Sequence, residues 1–140
     1  MVDFVSPQKR SKIMRGVKSN NTRPEVAVRK RLHALGYRFR LHRAGLPGRP
    51  DIILPRHNLV IMVHGCFWHQ HVGCQECRIP SSNRDFWVAK LSRNKQRDAA
   101  TARSLRRLGW KVRTIWECET RQPAKLETAL KRALRETRIL

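Results

Sequence analysis

The first clear pattern along the chain is a set of hydrophobic residues at helical spacing. Val28, Leu32 and Leu35 stand at i, i+4 and i+7, which predicts a helix with one buried face. The segment 22–25 supplies a threonine cap, a proline in the first turn and a glutamate at the capping-box position. Gly36 is a typical residue to end such a helix.

Strand patterns dominate the next part of the chain. Residues 37–41 alternate apolar and basic side chains, which predicts a half-buried strand. Residues 51–54 and 59–64 are two further strands around a turn, and the second is apolar on both faces, as is typical of a central strand. The later elements are a helix from Ser82 to Leu108, a strand over 110–116 and a helix from Pro123. The order α-β-β-β-α-β-α predicts an α/β fold with a mixed central sheet flanked by helices.

Charge then separates the chain into three parts. The 140 residues fit one domain and carry 31 Lys and Arg against 10 Asp and Glu, a net charge of +21. Residues 1–43 hold 12 basic and 2 acidic side chains, residues 44–81 hold 3 and 2, and residues 82–140 hold 16 and 6. We expect a basic arm over 1–20, one domain over 21–140 and a nucleic-acid partner. The composition offers neither a secretory signal nor a membrane span, so we expect an intracellular protein.

The nearly neutral centre contains a dense group of metal ligands. Five cysteine and histidine side chains fall between residues 66 and 77, and Cys118 follows the last strand. In a reducing compartment this density predicts a structural zinc site. The residues alone leave the ligand set open: it is either four cysteines, Cys77 included, or three cysteines and one histidine. The alternative is buried free thiols with exposed histidines.

Carboxylates are rare in so basic a chain, and two of them stand beside histidines in the predicted fold. Asp51 opens the second strand, His64 ends the third, and an antiparallel pair would bring both to one rim of the sheet. A carboxylate that holds Mg²⁺ and a histidine that activates water are the groups that metal-assisted phosphodiester hydrolysis needs. Glu25 and His69 are further candidates, although Glu25 could be only a helix cap and His69 a zinc ligand.

Four sequence blocks in register resemble a known family. They are Leu46-Pro-Gly-Arg-Pro-Asp51, His64-Gly-Cys-Phe-Trp-His69-x-His71, Asn83-Arg-x-Phe-Trp87 and Gly109-Trp-x-Val-x-x-x-Trp116-Glu-Cys118. This pattern resembles the very-short-patch-repair (Vsr) mismatch endonucleases of bacteria from about residue 9 to about residue 130. The resemblance implies a PD-(D/E)xK-type, restriction-endonuclease-like core with structural Zn²⁺. It also implies Mg²⁺-dependent nicking of one DNA strand 5′ to the thymine of a T·G mismatch, in repair of deaminated 5-methylcytosine.

The resemblance also implies roles for single residues. Asp51 is similar to the metal-binding aspartate, with the backbone carbonyl of Val63 as a second Mg²⁺ ligand, and His69 to the histidine near the hydrolytic water. Glu25 and His64 match supporting residues. The implied zinc ligands are Cys66, His71, Cys74 and Cys118. The loop after His71 is one residue longer than the family pattern, so Cys77 stays an alternative to Cys74. The usual second acid and lysine of the PD-(D/E)xK motif are replaced by Met62-Val63-His64.

The same resemblance predicts the DNA contacts. Phe67, Trp68 and Trp87 match an aromatic wedge that enters the stack at the mismatch, where pairing is already weak. Adjacent aromatics in a polar loop favour an exposed wedge, although Trp87 could equally pack in the core against Leu91. Further predicted contacts are made by Lys90 and Asn94 on the long helix, by Met14 from the minor groove, and by Arg10, Lys12 and Arg15 with phosphate.

Three functions are compatible with these features. The first is the mismatch endonuclease, a cytoplasmic and nucleoid-associated monomer that works alongside a cytosine-5 DNA methyltransferase. The second is a zinc-containing nucleic-acid binder without catalysis, which charge and cysteines alone would allow. The third is a nuclease of the same core with a broader choice of substrate.

Overall fold

The computed structural model describes residues 22–43 and 45–135, which form a mixed α/β fold. The described elements are α1 (Arg23–Ala34), β1 (Arg40–Leu41), β2 (Ile52–Leu54), β3 (Leu59–His64), α2 (Arg84–Arg107), β4 (Lys111–Trp116), α3 (Glu117–Thr120) and α4 (Pro123–Ala133). Short 3-10 turns lie at Pro55–His57 and Gln75–Cys77. The predicted order is confirmed, with the one-turn helix α3 added after β4. Within the described part of the chain, no helix is long and apolar enough to cross a membrane.

The four strands form one sheet in the order β1-β2-β3-β4. The pairs β1–β2 and β2–β3 are antiparallel, and β3–β4 is parallel from Leu59↔Lys111 to His64↔Trp116. The apolar strand β3 therefore lies between two neighbours, as its sequence predicts. The parallel pairing requires a crossover, and α2 provides it.

Alternate residues of the strands face two separate cores. On one face, Ile52, Leu54 and Ile61 pack with α1 and α4. On the other face, Ile53 and Val60 pack with Leu105 of α2 and its neighbours. Because side chains alternate between the two faces along β2 and β3, helices pack on both sides of the sheet.

Two element boundaries differ from the sequence prediction. The long helix begins at Arg84 after Asn83, which has φ +53° and makes no side-chain cap, rather than at Ser82. Strand β1 is limited to Arg40–Leu41 because its partner β2 is only three residues long. The predicted cap of the first helix is confirmed, since Thr22 Oγ1 accepts a hydrogen bond from the Glu25 N–H at 3.4 Å.

Candidate functional site

A cleft of about 810 Å³ opens at the rim of the sheet where β2 begins and β3 ends. Helix α2 and the N-terminal end of α1 form its other walls. The cleft combines acidic and histidine side chains with cations at its edge. Its lining residues include Glu25, Asp51, His64, His69, Lys90, Arg97 and Asp98.

Asp51 lies where the antiparallel β2–β3 pair was predicted to bring it. Its Oδ2 accepts a hydrogen bond of 2.7 Å from the backbone N–H of Val63, the residue before His64. Burial raises the pKa of Asp51 to about 6, and the hydrogen bond from Val63 opposes that rise. A buried carboxylate that is costly to ionise alone is suited to hold a cation. The carbonyl of Val63 as a second ligand stays a prediction.

His64 and His69 lie against each other in the same cleft. Their rings stack in parallel, with centroids 3.8 Å apart and planes 8° apart. Burial, with a further effect from His69, lowers the pKa of His64 to about 4, so His64 is neutral at pH 7. On the other side of the pair, Nδ1 of His69 lies 2.6 Å from Oδ2 of Asp98.

The sequence reasoning missed Asp98. It lies on α2, which contains only one other acidic residue, Asp85. Its position, four residues after Asn94 and eight after Lys90, places it on the helix face that was predicted to contact DNA. An isolated carboxylate on that face was the signal available in the sequence.

Glu25 is buried at the start of α1 and lies beside a second residue that the sequence reasoning missed. Its Oε2 is 3.1 Å from Nε2 of His42, and the Glu25 side chain is 5% exposed. His42 follows β1 directly and has φ +44°. Glu25 therefore faces the cleft as well as standing at the cap position. Possible ligand atoms of Glu25, His42 and Asp51 lie within 4.8 Å of one another.

Three cysteines and one histidine form a second cluster, which joins the loop after β3 to the residues after β4. Possible ligand atoms of Cys66, His71, Cys74 and Cys118 lie within 4.8 Å of one another, and Cys77 is not in this group. Nδ1 of His71 is 3.7 Å from Sγ of Cys66 and 3.5 Å from Sγ of Cys118. Zinc bonds of about 2.3 Å to sulfur and 2.1 Å to nitrogen, at tetrahedral angles, put these atoms about 3.6 Å apart. The donor set therefore fits a tetrahedral ion such as Zn²⁺.

The surroundings hold this cluster in place. The backbone N–H of Cys118 donates to Sγ of Cys66 at 3.4 Å, and the His71 ring stacks on Trp116 at 4.2 Å. Burial raises the pKa values of the Cys66 and Cys118 thiols above their ordinary range. A metal ion would bind them as thiolates and release their protons.

The predicted aromatic wedge is packed rather than exposed in this structure. Trp87 is completely buried, Phe67 is 9% exposed, and both pack with Leu91. Trp68 is half-buried, and its carbonyl accepts a hydrogen bond of 3.1 Å from the amide of Asn94. The expectation of an exposed wedge is corrected, because these rings form their own small core against α2. Their contact with DNA stays a prediction.

The other predicted DNA contacts stay predictions. Lys90 is half-buried at the edge of the cleft. Met14 and its basic neighbours Arg10, Lys12 and Arg15 lie outside the described residues.

Comparison with known proteins identifies the family. The family described as DNA mismatch endonuclease Vsr matches residues 2–76. The chain is 48% identical over 134 residues to Type II nicking enzyme V.XorIIP of Xanthomonas oryzae pv. oryzae, across 96% of this chain and 98% of that protein. It is 38% identical over 137 residues to DNA mismatch endonuclease Vsr of Escherichia coli K12, across 97% of this chain and 87% of that protein. The chain belongs to the Vsr family of DNA mismatch endonucleases. The resemblance found in the sequence is thus confirmed.

A further relative is also named as a nicking enzyme. Type II nicking enzyme V.NmeAIP of Neisseria meningitidis is 40% identical over 136 residues, across 97% of this chain and 96% of that protein. Membership in the family makes the chain a DNA endonuclease. The acidic and histidine cleft is the candidate active site.

Proposed function

We propose that this Vsr-family protein nicks one DNA strand 5′ to the thymine of a T·G mismatch, in a reaction that depends on a divalent cation such as Mg²⁺. The observation that carries the proposal is the convergence of Asp51, His64 and His69 in one cleft. Asp98 adds an orienting carboxylate to this group. The proposal follows the family's activity and extends it to the substrate and the metal of this chain.

The residues of the cleft fit a hard cation. Asp51 offers a buried carboxylate, and Glu25 offers a second within 4.8 Å of it. When bound, Mg²⁺ would polarise the scissile phosphate and lower the pKa of a coordinated water. Asp51 would hold it, with the Val63 carbonyl as the further ligand that the family pattern implies.

His69 is the candidate to take a proton from the attacking water. Asp98 faces its Nδ1 at 2.6 Å, so the proton on that nitrogen is held and Nε2 is left as the basic atom. His64 stacks against the same ring and fixes its plane. A neutral His64 places no positive charge beside this ring.

The cysteine cluster is proposed to hold structural Zn²⁺ through Cys66, His71, Cys74 and Cys118. It connects the loop after β3 to the end of β4. The loop also includes His69, so the ion would fix the loop that positions a catalytic group. The closed set of four protein ligands fits a structural rather than a catalytic zinc site.

Mismatch recognition is proposed to use the aromatic cluster and the basic face of α2. Because Phe67 and Trp87 are buried in the free protein, binding would have to open their cluster toward the weakened base pair. Lys90 and Asn94 would contact the mismatch region, and the arm over residues 1–20 would bring Met14 and its basic neighbours to the other groove.

The family pattern also leads us to propose a core of the PD-(D/E)xK type and a monomeric protein. We further propose that it associates with the nucleoid and works alongside a cytosine-5 DNA methyltransferase.

A nicking assay tests the proposal directly. Duplexes with one T·G mismatch and randomised flanks are incubated with the protein and Mg²⁺, and the cut strand is mapped at single-nucleotide resolution. We expect a single nick 5′ to the mismatched thymine. Asp51→Ala should abolish nicking and retain most of the DNA binding, whereas Asp85→Ala, an exposed acid on the first turn of α2, should behave like wild type.

Other results of the same assay would distinguish the alternative functions. Equal nicking of matched and mismatched DNA would favour a nuclease of broader choice. No nicking of any duplex, with tight binding retained, would favour the zinc-containing binder. Equal nicking by wild type and Asp51→Ala would overturn the site assignment.

A further inference from the structure

The candidate active site contains a ligand group that the proposed reaction does not fully use. Glu25 comes from the start of α1, His42 from the residue after β1 and Asp51 from the residue before β2. Their possible ligand atoms lie within 4.8 Å of one another. Three separate segments therefore place two carboxylates and one imidazole around one point.

Hydrogen bonds hold the backbone of two of these residues and the side chain of the third. The His42 N–H donates to the Asp51 carbonyl at 3.3 Å, and the Glu25 N–H donates to Thr22 Oγ1 at 3.4 Å. The Asp51 carboxylate accepts from the Val63 N–H at 2.7 Å. The fold thus positions the three residues next to one another and orients the Asp51 carboxylate before any ligand binds.

The imidazole of His42 is the unusual member of the group. Its Nε2 is buried and, among the described residues, makes no hydrogen bond, although Oε2 of Glu25 is only 3.1 Å away. The two atoms are close, but they are not aligned for an N–H···O hydrogen bond. A buried ring nitrogen left in this way is destabilising unless a ligand satisfies it.

A shared cation explains this spacing. Two adjacent ligands of an octahedral cation with bonds of about 2.1 Å lie about 3.0 Å apart. The observed 3.1 Å between His42 Nε2 and Glu25 Oε2 matches that distance. Two groups that share an ion point at the ion rather than at each other, which agrees with the absence of a hydrogen bond at Nε2 of His42.

We propose that His42 is a direct ligand of the active-site cation, together with Asp51 and Glu25, and that the centre binds Mn²⁺ more tightly than Mg²⁺. Mg²⁺ prefers oxygen ligands and gives up its water reluctantly, whereas first-row transition ions accept imidazole nitrogen readily. The role of this cation in strand cleavage rests on the proposed function. The binding of the cation is a property of the free protein and is tested without DNA.

The first experiment measures Mn²⁺ binding to the zinc-loaded, full-length protein by the EPR signal of free Mn²⁺. His42→Gln removes the imidazole, and His33→Gln, an exposed histidine on α1, is the matched control. We expect at least tenfold weaker Mn²⁺ binding in His42→Gln and no change in His33→Gln. Competition with Mg²⁺ should require a large excess in wild type and a smaller one in His42→Gln. Equal Mn²⁺ affinity in wild type and His42→Gln would overturn the proposal.

A second measurement uses the wild-type protein and does not depend on the folding of a variant. Electron spin-echo envelope modulation of bound Mn²⁺ detects a directly coordinated nitrogen. We expect a histidine nitrogen coupling in wild type and His33→Gln that is lost in a folded His42→Gln. Wild-type spectra without nitrogen coupling, or coupling that persists in folded His42→Gln, would contradict the proposal.

Nicking assays then separate this inference from the proposed function. We expect the ratio of nicking at limiting Mn²⁺ to nicking at limiting Mg²⁺ to fall at least tenfold in His42→Gln. Unchanged metal dependence in an active His42→Gln enzyme would refute the ligand role and leave the mismatch activity standing. Mn²⁺ binding through His42 in a protein that nicks no mismatched duplex would support the ligand role and refute the proposed function.

Discussion

Oδ2 of Asp98 lies 2.6 Å from Nδ1 of His69, although 29 residues separate the two in the sequence. Asp98 is held on the long helix α2, and His69 lies in the loop that follows β3. The helix thus orients a histidine whose own loop has little regular structure. The pairing places one ring nitrogen at the carboxylate and leaves the other available for the proposed proton transfer.

Asp98→Asn should therefore lower kcat for nicking by about 10²-fold, the lower end of what a general base contributes. KM for the mismatched duplex should change little, because Asp98 is proposed to act through His69 rather than on DNA. Single-turnover nicking over a range of duplex concentrations measures both values. Asp85→Asn, on the same helix, is the control. A variant in which only KM rises would indicate that Asp98 serves DNA binding instead.

The cysteine cluster predicts a contrast between two neighbouring residues. Cys74→Ser removes a member of the four-ligand group and should lower the zinc content well below one ion per chain. The free energy of unfolding should fall by about 4 kcal/mol or more, as is typical when a structural metal is lost. Cys77→Ser should retain the zinc and most of the stability. Elemental analysis and urea unfolding measure the two effects, and the reverse pattern would assign the ligand role to Cys77.

The raised pKa of Asp51 predicts a pH-dependent stability without divalent cation. The buried acid favours its protonated form in the folded state, so its contribution is present below about pH 4 and is lost as pH rises through about 6. Asp51→Asn should therefore be as stable as wild type near pH 4 and more stable by about 3 kcal/mol at pH 8. Urea unfolding of both proteins over this range, in buffer without Mg²⁺ or Mn²⁺, measures the difference.

His64 titrates in the same range but is present in both proteins, so its effect largely cancels in that comparison. Added Mg²⁺ or Mn²⁺ should stabilise wild type at pH 8 and leave Asp51→Asn nearly unchanged. A stability difference that does not vary with pH would contradict the burial of an ionisable carboxyl at this position.

The loop before Asp51 predicts a steric effect at a glycine. Gly48 has φ +70°, and a Cβ at this position would overlap the Thr101 side chain on α2. Gly48→Ala should push the loop away from α2, displace Asp51 and lower nicking at least tenfold. Gly45→Ala has a similar backbone penalty, with φ +94°, but meets no atom within 4 Å. Equal activity losses in the two variants would show that backbone strain, and not the contact with Thr101, is responsible.

The basic edge of the cleft predicts a change in salt dependence. Binding to duplex DNA should weaken steeply with salt, and Lys90→Ala should reduce the log–log slope by about one unit if Lys90 meets a phosphate. Lys125→Ala, an exposed lysine on α4 beyond the opposite face of the sheet, should leave the slope unchanged. Fluorescence anisotropy at several salt concentrations gives the slope for each protein.

The sequence predicted the parts of this molecule that depend on local pattern. The periodicity of Val28 and Leu32 predicted α1, and the apolar run over 59–64 predicted the central strand, because each pattern reports burial directly. The neighbourhood of Asp51 and His64 followed from the antiparallel hairpin. The two sequence blocks that contain Cys66 and Cys118 resemble the Vsr family, and that resemblance implied a set of four zinc ligands.

The roles of His42 and Asp98, which the sequence reasoning missed, depend on tertiary contacts that no local sequence pattern indicates. His42 reaches Glu25 only because a residue with φ +44° ends β1, and no periodicity indicates such a turn. Asp98 meets His69 because α2 crosses over the loop after β3. The burial of Trp87 was one of two alternatives that the sequence left open, since an aromatic residue in a helix can face either solvent or a neighbouring loop, and here Phe67 packs against it.

The Cys66–Cys118 contact spans 52 residues and joins the ends of the two parallel strands β3 and β4. Closing so long a loop is entropically unfavourable, and parallel pairing of distant strands is slow to form. Since Cys118 is the last of the proposed ligands in the sequence, a bound ion could complete its coordination only after β4 has been synthesised. A chain truncated before residue 118 would lack one of the four proposed ligands and could not close the metal site.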